Sequence, residues 1–113
     1  MGDVWGMHKH HIVFRSQGGL DFALNLIELS MEEHEGDKGP HRNRKRDLEL
    51  KMMLQEKLFE LFPEDEFFNI EQISEELGRT SRYFGKHFKA VPMVGGLYPG
   101  REIVKRLMGG KFY

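Results

Sequence analysis

Five of the six histidines of this chain lie between His8 and His41, and two of them, His10 and His11, are adjacent. On an extended strand, neighbouring side chains leave on opposite sides, so His10 can bind a metal ion while His11 faces a water beside it. Imidazole suits both tasks, because its neutral form carries a basic nitrogen and is well populated near neutral pH. General-base help of this kind is worth about 10²–10⁴ in rate. Asn25 follows His11 after thirteen residues. Its amide is neither acid nor base, but it can hold His11 in orientation or tie the ends of the intervening loop together. His34 follows after eight more residues; projected from a helix back toward the strands, it would complete a metal site. A metal held there can bind a non-bridging phosphate oxygen and stabilise a departing 3′ oxygen. The chemistry expected of this set is phosphodiester hydrolysis.

These residues need elements to carry them. His10-His11-Ile12-Val13-Phe14 reads as a short strand, Arg15 to Leu24 as a loop broken by Gly18-Gly19, and Leu26-Ile27-Glu28-Leu29 as a second strand. Ser30-Met31-Glu32-Glu33 has the spacing of a capping box, so a short helix carrying His34 should follow and end at Gly36, Gly39 and Pro40. A long amphipathic helix is expected from Asn43 or Asp47 to Phe62, with Leu54, Leu58, Leu61 and Phe62 as its apolar stripe and Pro63 as its stop. Phe14, Leu26, Ile27, Leu29 and the Met52-Met53-Leu54 group are expected in the core, and His8 and His87 as ordinary surface or packed residues.

The strand, loop, strand and helix carrying His10-His11-Ile12-Val13-Phe14-Arg15-Ser16-Gln17-Gly18-Gly19, then Asn25-Leu26-Ile27-Glu28-Leu29, then His34, closely resemble the HNH endonuclease family. That family folds as a ββα-metal, or His-Me, finger, and the match covers residues 8 to 51, under half the chain. The resemblance implies His10 as metal ligand, His11 as general base, Asn25 as orienting residue and His34 as second ligand. Gly39-Pro40-His41 is similar to the Gly-Val-His element of small phage HNH proteins, which implies His41 near the metal or the scissile phosphate, as a further ligand or joining Arg42, Arg44 and Lys45 in binding phosphates. Many relatives have Cys where Ser30 and Glu33 stand; with no Cys in the chain, no structural zinc of that kind can form. The expected cofactor is Mg²⁺ or Mn²⁺, and imidazole ligands also tolerate Zn²⁺ or Ni²⁺. Small free-standing HNH proteins occur in phages and prophages, which adds phage packaging proteins to the partners the resemblance allows.

The net charge of -1 over 113 residues conceals an asymmetry. Residues 1 to 46 hold seven basic and seven acidic residues, 47 to 78 hold two and ten, and 79 to 113 hold eight and one. Basic residues gathered on one surface attract phosphates whatever the total charge. Lys38, Arg42, Arg44, Lys45 and Arg46 form one such cluster, Arg79, Arg82, Lys86 and Lys89 a second, and Arg15 lies beside the histidines. The expected partner is double-stranded DNA. Ile12-Val13-Phe14 is the longest apolar run at the start and far too short to span a bilayer, so no membrane is expected, and the chain reads as cytoplasmic, in a host cell if phage-encoded.

The tail is helical by its pattern. Ile70 to Leu77 forms one short helix, Gly78 a tight turn, and Thr80 or Ser81 caps a second helix to about Phe88. Glu75-Glu76-Leu77-Gly78 with Tyr83-Phe84 and Phe88-Lys89 resembles the helix-turn-helix of arabinose-type regulators. A last helix from Arg101 to Met108 should end at Gly109-Gly110. The expected fold class is α+β: residues 1-62 as a ββα-metal nuclease core with its following helix, and 63-113 as a helical, basic, DNA-contacting region. A homodimer through the helix 47 to 62 would give two active centres for two strands. The competing reading is a non-catalytic DNA-binding regulator that uses the helix-turn-helix.

Overall fold

The computed structural model describes residues 7–30 and 43–113. Strand β1, Met7–His11, pairs antiparallel with β2, Leu26–Ser30, and the register sets His10 opposite Ile27 and His11 opposite Leu26. The strand expected at His10 to Phe14 therefore lies earlier and stops at His11. The reason is burial: just past His11 the chain leaves the ladder, and Ile12 and Val13 enter the core at 8% and 0% exposure. The loop between the strands contains two 3-10 turns, Arg15–Gln17 and Ala23–Asn25. Gly19 stands where an added Cβ would lie 1.8 Å from the Val13 carbonyl oxygen, so no larger residue fits this fold-back.

Helix α1, Arg44–Leu61, opens on Asn43, whose side-chain oxygen accepts a hydrogen bond from the Arg46 amide at 3.1 Å. Leu50, Leu54, Leu58 and Phe62 recur every fourth position and are all buried. Met52 and Met53, expected in the core, are instead 56% and 52% exposed, because they fall on the opposite side of that stripe. Lys51 is fully buried. Its ammonium is held by both Asp47 carboxylate oxygens at 2.5 and 2.6 Å and lies 4.4 Å from the centre of the Phe14 ring. A carboxylate one turn back and an aromatic face together offset the desolvation of the charge.

Beyond Pro63, a short strand β3, Phe67–Phe68, pairs antiparallel with β4, Tyr98–Pro99. Between them stand α2, Ile70–Leu77, and α3, Ser81–His87. Asn69 and Gln72 form a reciprocal capping box at the start of α2. Gly78 ends that helix at φ 74°, and the Thr80 hydroxyl caps α3 by accepting from the Tyr83 amide at 3.1 Å. The helix, turn and helix expected from 70 to 88 are thus present. Helix α4, Gly100–Leu107, follows β4 directly. The β3 and β4 pair was not expected, since two-residue strands carry no readable alternation.

The described residues are therefore α+β, with four α-helices and two small antiparallel sheets. Ile12, Val13, Leu20 and Phe22 from the loop share one apolar cluster with residues of α1, α2, α3 and α4. The cluster runs across the expected division at 62 and 63. Burying one Leu or Phe contributes about 1.5–3 kcal/mol, so the loop near the histidines draws its rigidity from the helices packed beneath it. Among the described residues, no helix is long and apolar enough to cross a membrane.

Candidate functional site

The two adjacent imidazoles occupy different environments, as strand alternation requires. His10 is 2% exposed and meets the Phe14 ring edge-on at 5.3 Å. The His11 side chain keeps 21% of its surface open to solvent. One is placed as an interior donor, the other where water can reach it.

Asn25 explains why the loop holds this shape. It is fully buried, and its side-chain oxygen accepts from the Val13 amide at 2.8 Å. Its Nδ2 donates to the carbonyls of Leu20 at 2.8 Å and Val13 at 3.2 Å. The Asn25 carbonyl also accepts from the Ile12 amide at 2.8 Å. Of the two roles open to Asn25, the geometry shows the tying of loop ends; it acts on His11 through the backbone. The Val13 amide and the Val13 and Leu20 carbonyls would be stranded in the interior without this one side-chain amide.

Sequence reasoning treated Asp21 only as a loop residue, yet it is the hydrogen-bond partner of His11. His11 Nε2 lies 2.6 Å from Asp21 Oδ1. Arg15 reaches both oxygens of the same carboxylate at 3.2 and 3.3 Å. The hydrogen bond from His11 holds the Asp21 carboxyl below the usual aspartate range; partial burial opposes this, and the Arg15 charge adds to the lowering. From the far side, the Tyr83 hydroxyl of α3 accepts from the Asp21 backbone amide at 2.8 Å. Tyr83 is set in turn by Arg79, whose guanidinium lies 4.0 Å from the ring centre, and by His87 at 4.7 Å between ring centres. Neither partner had a sequence signal, because ten-residue and 62-residue separations follow no helix or strand period.

A groove of about 370 Å³ opens beside this cluster, with Lys9, Asp21, Glu28 and Arg79 among its walls. Arg79, Arg82, Lys86 and Lys89 are exposed, as are Arg15, Arg44 and Lys45, while Arg46 is half-buried. The cations expected to meet DNA are thus on the surface wherever they are described. Lys38 and Arg42 lie outside the described residues.

His34 and His41 also lie outside them, as does Glu33 of the expected capping box. Among the described residues, no three His, Asp or Glu side chains are grouped to hold a metal ion. His10 is the one member of the expected ligand set within them, and as a buried imidazole it has the chemistry of a donor to a divalent transition metal. No protein-family model, curated protein or solved structure matches the chain.

Proposed function

We propose that the chain is a metal-dependent DNA endonuclease of the HNH type. The observation that supports this reading best is the Asn25-tied loop, which sets adjacent imidazoles apart: His10 inside, and His11 within reach of water. With Nε2–H of His11 donating to a carboxylate, the basic nitrogen is Nδ1. That nitrogen takes a proton from water, the hydroxide oxygen bonds to phosphorus, and the bond from phosphorus to the 3′ oxygen breaks. A divalent ion held by His10 with His34 and His41 would supply Lewis-acid stabilisation of the charge on the phosphate and the departing oxygen. Arg15 beside the cluster and the cations of α3 bind the phosphate backbone.

The test is supercoiled plasmid incubated with the protein and Mg²⁺, Mn²⁺ or a chelator. Conversion to open-circle or linear DNA with metal alone supports the reading, and its absence under every metal rejects it. A non-catalytic DNA-binding regulator is favoured instead by one feature, the α2, Gly78, α3 arrangement with its exposed cations. Sequence-selective DNA binding without cleavage would establish that alternative.

A further inference from the structure

We infer that Asp21 is the positioning residue of the general base: it fixes the His11 ring and compensates the charge that ring acquires when it takes a proton. The inference rests on the endonuclease reading for the identity of the base, and on contacts of this chain for everything else. A histidine on the last residue of a strand has two free torsions, and a base whose basic nitrogen is poised in one rotamer and one tautomer must have both chosen for it. A 2.6 Å contact to Asp21 Oδ1 chooses both. The carboxylate accepts only, so it demands a proton on Nε2 and leaves the lone pair on Nδ1. After proton transfer the ring is an imidazolium with an anion already in place.

Asp21 can do this only if it is itself immobile, and it is held from two sides. Arg15 spans both of its oxygens, and the backbone amide is anchored by Tyr83 across the boundary between loop and α3. Phe22 beside it is 1% exposed, so the main chain has little room to rotate the carboxylate away. The His11 hydrogen bond, and after it the Arg15 charge, favour the ionised carboxylate, and Oδ1 stays shared with His11, so the carboxylate orients the ring without drawing the proton off it. The arrangement is a three-member chain of guanidinium, carboxylate and imidazole, with Asp21 itself in the wall of the groove.

The expected outcome for Asp21→Ala is a fall in kcat on plasmid DNA of about 10–100-fold, a part of the about 10²–10⁴ that the general base itself is worth, with KM unchanged. Asp21→Glu should recover part of the loss, because its carboxylate can still reach the ring. The ¹⁵N chemical shifts of the His11 ring supply a readout independent of turnover: the unaltered protein shows the Nε2–H tautomer, and Asp21→Ala shows a mixture. An unmoved tautomer, or a kcat equal to that of the unaltered protein, overturns the inference. So does a rise in KM with kcat preserved, which would make Asp21 a part of the DNA-binding surface. Absence of cleavage by the unaltered protein rejects the endonuclease reading instead, and the tautomer of Asp21→Ala then decides the pairing by itself.

Discussion

Tyr83 and Asp21 stand 62 residues apart, and the Asp21 backbone amide donates a 2.8 Å hydrogen bond to the Tyr83 hydroxyl. The contact joins the helix that carries Arg82 and Lys86 to the loop residue that holds His11. A second tie runs parallel to it: Arg106 of α4 donates from Nε to the His87 carbonyl and from its terminal nitrogen to the Gly18 carbonyl, each at 2.9 Å. Helix α3 and the loop that carries the partner of His11 are thereby tied into one frame.

Tyr83→Phe should test the first tie. It keeps the ring under Arg79 and removes only the oxygen that accepts from Asp21. A half-buried amide left without that acceptor costs about 1 kcal/mol. Urea denaturation should show that loss with an unchanged slope, and plasmid cleavage should slow without loss of DNA affinity. A variant as stable and as active as the parent would show that the contact carries nothing.

Asn25→Ala strands the Val13 amide and the Val13 and Leu20 carbonyls in the interior. With an unsatisfied buried group costing about 1–3 kcal/mol, the expected loss is about 3 kcal/mol, which for a small domain is a large share of total stability. Asn25→Asp should be nearly as damaging, since the carboxylate keeps the acceptor but loses both donor bonds. Denaturation midpoints of the two variants check the ordering.

His87 gives the protein a pH dependence of defined sign. Burial lowers its pKa below the ordinary 6.5, and the neighbouring Arg106 and Lys86 charges lower it further. The unfolded chain therefore binds a proton more readily than the folded one. Stability is full above pH 6.5 and falls as the pH drops through 6.5 toward the lower folded value, below which the loss is complete. His87→Gln should flatten that part of the stability curve; an unchanged slope between pH 7 and 5 would assign it to other groups.

How much of this was legible in the residues themselves follows from the range of each interaction. The helix starts expected at Asn43 or Asp47, at Ile70 and after Thr80 or Ser81, and the stop at Gly78, rest on signals within three or four positions of their targets, and the structure begins these helices after Asn43, Asn69 and Thr80 and ends the second at Gly78. Gly18-Gly19 marked a loop, but only packing shows that Gly19 is required by the Val13 carbonyl. Met52 and Met53 misled because apolar character does not say which side of a helix faces the core. Asp21, the partner of His11, and Tyr83, the partner of Asp21, were invisible because loop closure brings them together without any period.

The basic residues on and beside α3 make a prediction that separates binding from chemistry. Arg79, Arg82, Lys86 and Lys89 are exposed, and each phosphate they neutralise adds about 0.9 to the slope of log affinity against log salt. Replacing Arg82 and Lys86 by Ala should lower affinity for duplex DNA and flatten that slope by nearly two, at any sequence. The pair Arg44→Ala and Lys45→Ala should act in the same direction from the start of α1. Titrations at several salt concentrations check both, and an unaltered slope would remove the pair concerned from the DNA-binding surface.

Activation of the attacking water by His11 is decided by His11→Ala on supercoiled plasmid with Mn²⁺ or Mg²⁺. The unaltered protein should nick or linearise the plasmid only when metal is present, and the variant should bind DNA and metal as before while cleavage falls by about 10²-fold or more. Cleavage by His11→Ala at the parental rate would contradict it.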